Sequence, residues 1–129
     1  MWHQIIIVGN VGKDPDMRYT PSGEAVTAFS VACNRQYIGK DGEVKETIWF
    51  RITVWGKQAE TCGKYLKKGS KVLVEGRLNP DKETGGPHVW TKKDGTTGAS
   101  FEVTASTVRF LSNKEGNNAP VAVESEDPF

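Results

Sequence analysis

This 129-residue chain is poor in the residues that metal, redox and membrane chemistry require. Its two cysteines, Cys33 and Cys62, have no metal-ligand spacing. Its two histidines, His3 and His88, have no companion ligands. No metal or other cofactor is expected. No apolar run approaches the roughly 18 residues that a membrane-spanning helix needs. The opening Met1-Trp2-His3-Gln4 leads directly into strand-like sequence, with neither a secretory h-region nor an Arg-rich transit pattern. A cytoplasmic protein without membrane attachment is expected, its cysteines reduced, buried and inert. Enzyme signatures are also missing. There is no nucleophile paired with a base, no H-x-x-x-H, and no carboxylate pair on an aromatic-lined strand. Gly9 and Gly12-Lys13 have the wrong spacing for a phosphate loop, and Asp14 stands where that loop places its hydroxyl.

A strong charge of one sign is absent too, since the net charge is +1. The balance hides an asymmetry. Residues 1–111 carry 16 Lys and Arg against 12 Asp and Glu, a net of +4, whereas residues 112–129 carry Lys114 against Glu115, Glu124, Glu126 and Asp127, a net of −3. A basic body with an acidic end is a pattern associated with nucleic-acid partners.

What the chain does have is a strand of unusual composition, Thr47-Ile48-Trp49-Phe50-Arg51-Ile52-Thr53-Val54-Trp55-Gly56-Lys57. Side chains alternate across a strand. Phe50, Ile52 and Val54 therefore form a core face, and Trp49, Arg51, Thr53 and Trp55 form the other. Two indoles beside a guanidinium suit a single-stranded nucleic acid, whose bases stack on rings and whose backbone needs positive charge. The same rings would equally suit burial under a partner subunit or a loop.

The remaining elements fall into a simple order. Ile5-Ile6-Ile7-Val8 reads as a first strand, buried on both faces or lying at a subunit contact. Met17-Arg18-Tyr19 is a further extended run. Ala25 to Arg35 alternates large core residues (Thr27, Phe29, Val31, Cys33) with small or polar outer ones (Ala28, Ser30, Ala32, Asn34), and Tyr37 follows near its end. Gly39-Lys40-Asp41-Gly42 signals a hairpin. After Gly56, Ala59, Cys62 and Leu66 share one face of a short helix. Lys67 and Lys68 are expected in its last turn, with Gly69 as its cap. Val72–Leu78 is a fourth strand. Residues 79–98 are turn-rich around His88-Val89-Trp90-Thr91-Lys92-Lys93, read as two arms with Trp90 near a tip or edge. Phe101–Ala105 is a fifth strand, continued after a phase shift by Val108 and Phe110. From Ser112 the apolar pattern stops, so a disordered tail is expected. Five strands with one helix between the third and fourth is the order of the OB-fold, an all-β Greek-key barrel that binds oligonucleotides across strands 2 and 3 and two flanking loops.

Four blocks carry a specific resemblance. They are Val8-Gly9-Asn10-Val11-Gly12-Lys13-Asp14-Pro15, Arg18-Tyr19-Thr20-Pro21-Ser22-Gly23, Trp49-Phe50-Arg51 with Trp55-Gly56-Lys57, and Tyr65-Leu66-Lys67-Lys68-Gly69-Ser70 with Val74-Glu75-Gly76. In this order they resemble the bacterial single-stranded DNA-binding proteins over residues 3–111. The resemblance implies a homotetramer with one OB domain per chain (residues 1–111), wrapping of single-stranded DNA, and work in replication, recombination and repair. It implies base stacking on Tyr37, Trp49, Trp55 and Trp90, and backbone contacts from Arg18, Lys45, Arg51, Lys57, Lys67 and Lys68. Lys92 and Lys93 lie beside Trp90 in the same loop. Glu126, Asp127, Pro128 and Phe129 resemble the family's acidic tip, which recruits replication and repair proteins, at the end of the tail of residues 112–129. Departures from the family are a serine within that tip, a short linker, and an apparent insertion over residues 80–88. The readings set against this one are an OB-fold module for primosome assembly or protein interaction, and a carbohydrate-binding OB module. The absent export signal and the cations beside the tryptophans disfavour the carbohydrate reading.

Overall fold

A computed structural model describes residues 1–112. The expected acidic tail, including Glu126, Asp127, Pro128 and Phe129, lies outside the described residues except for Ser112, which ends the last strand. The strands are β1 (Ile5–Val11), β2 (Asp16–Tyr19), β3 (Ala25–Gly39), β4 (Gly42–Trp55), β5 (Lys71–Asn79), β6 (His88–Thr91) and β7 (Thr97–Ser112). The helix α1 (Lys57–Tyr65) stands between β4 and β5.

Five of the strands close a barrel. The ring runs β1–β5–β7–β4–β3 and returns to β1 through Asn10 opposite Ala32 and Val11 opposite Val31. All neighbours are antiparallel except β4 and β7, which run parallel from Phe50/Phe101 to Thr53/Thr104. This is the OB-fold ring expected from the element order. The short β2 adds to the outer side of β3, and β6 forms a hairpin with the start of β7.

The core follows from alternation. Val31, Ile52, Val54, Val72, Val74 and Val103 are fully enclosed, each burial worth roughly 1.5–3 kcal/mol. The α1 residues Ala59 and Cys62, with Leu66 just beyond the helix, extend this core. Thr27 is the polar exception at full burial. Its hydroxyl donates to the Ala59 carbonyl at 2.6 Å, which ties β3 to α1 and satisfies the group.

Several expectations change. The run Ile5–Val8 is not buried on both faces, because Ile7 is enclosed while Ile6 is 58% exposed. The helix ends at Tyr65, and Leu66 is already extended with its side chain buried. Lys67 and Lys68 therefore lie in the loop after the helix, where Lys64 is the cation of the last turn. Gly69 is not the helix cap; its N–H donates to the Val11 carbonyl at 2.8 Å. The chain leaves the helix at Leu66, immediately before the two lysines. β3 and β4 also run further than read, pairing continuously to Gly39 opposite Gly42, so the hairpin arm projects beyond the barrel. The phase shift after Ala105 is a bulge, with Glu75 opposite Thr107 and Gly76 opposite Ala105.

The two thiols are free, and Cys62 is enclosed. Burial pushes its pKa from 9.0 up to about 11. The unfolded thiol ionises first as pH rises, so this contribution is complete below about pH 9 and is lost towards about pH 11. Melting temperatures across that window are expected to fall more steeply for the unaltered chain than for Cys62→Ala. Parallel pH profiles would contradict it.

Candidate nucleic-acid interface

Residues directly opposite in a ladder point to the same face. The register therefore lays out the outer surface as rows. One row holds Arg18 of β2, Val26 of β3 and Trp55 of β4. The next holds Asp16, Ala28, Thr53, Thr104 and Arg77. The third holds Ser30, Arg51, Glu102 and Asn79. The fourth holds Asn10, Ala32 and Trp49. Trp49 and Trp55 are 53% and 43% exposed, and Arg51 lies exposed between them. The β3 residues opposite Thr53, Arg51 and Trp49, namely Ala28, Ser30 and Ala32, are too small to cover a ring, and Val26 lies opposite Trp55. The result is a shallow floor with two accessible indoles and a cation.

Each of two indoles is seated on a glycine. A Cβ at Gly12 would come within 2.6 Å of the Trp49 six-membered ring. On β6, Trp90 stands opposite Gly98, where a Cβ would come within 2.8 Å of the ring. The missing side chains let both rings lie close to backbone, held without being buried. Trp90 remains 47% exposed, and its row parity on β7 matches that of Glu102 and hence Arg51. The two arms expected around Trp90 are thus the β6–β7 hairpin. The Lys92 stem runs beside the Trp90 ring over Gly98, and Lys93 follows in the turn.

Cations border this floor. Lys57 begins α1 directly after Trp55 and Gly56. Lys67 and Lys68 sit in a loop tied to the end of β1, since Asn10 Nδ2 donates to the Gly69 carbonyl at 3.2 Å. That tie places them beside the Asn10–Ala32–Trp49 row. The Lys68 N–H also donates to Asp14 Oδ1 at 2.9 Å. Lys45 shares the outer parity of Trp49 along the hairpin arm. Arg18 is partnered locally by Asp16 at 2.9 Å, with both side chains exposed, so that pair adds little to stability.

Tyr37 is not brought onto this face. It pairs with Val44 and shares parity with Cys33 and Phe29, the core side of β3. Its ring is covered by the Arg35 guanidinium at 4.6 Å, a cation–π contact. Alternation along Ala25–Arg35 already held this answer, because Tyr37 is odd-numbered like the core residues. The glycine seats were open to sequence reading as well, since glycine inside a strand signals a close approach.

The sequence matches the Single-strand binding protein family over residues 2–111. The chain belongs to that family. Among relatives, it is 36% identical to the single-stranded DNA-binding protein of Neisseria meningitidis serogroup A over 95% of this chain and 67% of that one. It is 40% identical to the protein of the same name from Bacillus cereus over 90% of this chain and 64% of that one. It therefore spans about two thirds of the length of these relatives. Among solved structures, the small single-stranded DNA-binding protein of Streptomyces coelicolor superposes with a TM-score of 0.69 at 22% identity, covering 88% of this chain and 97% of that one. The Plasmodium falciparum SSB in complex with ssDNA gives 0.69 at 26% identity, covering 87% and 97%. The family's shared fold is thus the one on which the indole-lined floor stands.

Proposed function

We propose that this chain binds single-stranded DNA without sequence preference, stacking bases on Trp49, Trp55 and Trp90. The observation that carries the reading is the pair of half-exposed indoles flanking Arg51 on one face of β4, with small residues beside them. Family membership and a structural neighbour solved with ssDNA support it. Arg51, Lys45, Lys57, Lys67, Lys68, Lys92 and Lys93 draw in the backbone, releasing counterions, so affinity falls with salt. Arg18 joins them once phosphate replaces Asp16. Bases then leave their own stack for the rings, each stacking contact worth roughly 1–3 kcal/mol. Duplex is disfavoured because its base faces are hidden. Tyr37 contributes at the margin, through its stack with Arg35, as the strand passes the hairpin arm.

The chain acts as a homotetramer that protects single strands in replication, recombination and repair. Support for self-association is the exposure of Ile6 and Trp2 at the start of the barrel, 58% and 82%, which leaves apolar surface for another copy to cover. The acidic tip Glu126-Asp127-Pro128-Phe129 recruits partner proteins: its phenylalanine enters an apolar pocket and its carboxylates meet basic residues at the rim. Between partners, the tip is weakly drawn to the cationic floor. Removing residues 124–129 should raise affinity for oligo(dT) about twofold at low salt, the scale of exposed ion pairs. Identical affinity would contradict this competition.

The test of the main reading is anisotropy of labelled oligo(dT) against a matched duplex over a salt series. Binding of the single strand at least 100-fold tighter than the duplex is expected. Equal binding would overturn the reading in favour of an OB-fold protein-interaction module.

A further inference from the structure

By charge alone, a carboxylate beside lysines that draw in phosphate works against binding, and Asp14 stands in that place. It is exposed on the connection between β1 and β2, and its Oδ1 accepts the Lys68 N–H at 2.9 Å. The two residues are 54 positions apart, so the bond ties two loops together rather than closing a local turn. The ion pairs among the described residues are Arg18–Asp16 and Arg35–Glu46, and neither involves Asp14, Lys67 or Lys68. The carboxylate therefore holds the lysine loop by its backbone and leaves both ammonium groups to meet phosphate.

The rest of the loop is held from neighbouring positions. The Gly69 N–H donates to the Val11 carbonyl at 2.8 Å, and the Val11 N–H donates to the Ser70 carbonyl at 2.9 Å. The Lys67 N–H donates to Oγ of the buried Ser70 at 3.1 Å. Asp14 supplies the hold at Lys68 itself. Between these ties lies Gly12, whose N–H donates to the Ser30 carbonyl at 2.9 Å and against which the Trp49 ring is seated. Residues 10–14 thus form a bracket with atomic contacts to both parts of the interface. The ring rests at Gly12, and the lysine loop is bound at Asn10, Val11 and Asp14. A base and its own phosphate are joined by a few bonds. A fixed offset between ring and cation lets one nucleotide engage both without first ordering the loop.

We propose that Asp14 is a positioning residue of the interface: its carboxylate fixes Lys68 relative to the segment that seats Trp49, so that the ammonium meets the backbone of a strand stacked on that ring. The proposal rests on the functional reading above. It asks the acceptor oxygen of Asp14 to help binding while its charge opposes it, and those two effects can be separated.

The test measures oligo(dT) affinity of the full chain over a salt series for Asp14→Asn and Asp14→Ala. Both changes remove the charge, but only alanine removes the acceptor. Asp14→Asn should bind as tightly as the unaltered chain or more tightly. Asp14→Ala should bind about fivefold more weakly than Asp14→Asn, the scale of one hydrogen bond. Its plot of log affinity against log salt should be shallower by about 0.7, the value of one phosphate contact on a single strand. In a Lys68→Ala background the two Asp14 substitutions should become indistinguishable, since the residue acts through Lys68. Thermal melts check that every variant is folded at the temperature of the titration. Equal affinities and slopes for Asp14→Asn and Asp14→Ala would overturn the proposal, as would a difference that persists in the Lys68→Ala background. In either case oligo(dT) binding by the unaltered chain leaves the functional reading standing. Failure of the unaltered chain to bind oligo(dT) would overturn that reading and this proposal with it.

Discussion

Trp49→Ala is expected to weaken oligo(dT) binding by about 10- to 100-fold, as loss of roughly 1–3 kcal/mol of stacking implies. Trp49 is the ring best prepared for the task. It is 53% exposed, so little is spent in uncovering it. It is seated against Gly12, and its cross-strand neighbour Ala32 leaves its face open. Beside it, Thr47 Oγ1 donates to Asn34 Oδ1 at 2.8 Å, which stiffens the start of the hairpin arm. A pre-positioned ring loses little freedom on binding, so most of the stacking energy appears as affinity. Trp49→Phe keeps a ring and should retain most of the binding. Folding should be unchanged in both variants, because the core side of β4 is carried by Ile52 and Val54. The measurement is anisotropy of a labelled oligonucleotide. Unchanged affinity in Trp49→Ala would assign the indole to a subunit contact.

The second large effect concerns the barrel. Gly76→Ala is expected to destabilise the fold by about 3 kcal/mol, at the upper end of ordinary overpacking. Gly76 pairs with Ile5 of β1 and Ala105 of β7, beside the bulge. A Cβ there would overlap the Thr104 carbonyl oxygen and approach the Ala105 Cα at 2.9 Å. Both are backbone atoms of a paired strand, so neither can step aside as a flexible side chain would. The same substitution at Gly86, where a Cβ would meet only Thr84 Oγ1 at 3.6 Å, should be near neutral. Thermal melts of the two variants provide an internal comparison. Equal melting temperatures would contradict the close approach of β5 and β7.

Much of this arrangement was legible in the amino-acid order, because it depends on local rules. Alternation from Trp49 to Trp55 separates indoles from core with no knowledge of partners, and the burial of Ile52 and Val54 follows it. The step from Ala105 to Val108 breaks that alternation and marks the bulge. Element order alone specifies the barrel, since few five-stranded topologies place a helix there. Other features depend on which strand lies beside which. The helix stops at Tyr65 and Leu66 enters the core from an extended backbone, so Lys67 and Lys68 leave it despite a favourable local sequence. Such tertiary override of propensity is common. The parallel β4–β7 pairing sets Glu102 beside Arg51 across fifty residues, beyond any local pattern. Tyr37 shows the opposite case. Its parity is readable from the pleat, whereas its place among the stacking rings comes from the resemblance alone.

The most direct test of the central claim, that the exposed indoles of β4 and β6 stack on bases, is intrinsic tryptophan fluorescence during titration with oligo(dT), with a matched duplex as control. Deep quenching by the single strand that persists at high salt, with little response to duplex, is the predicted result, because stacking survives screening while phosphate contacts weaken. An unquenched signal at saturating oligo(dT) would contradict the account.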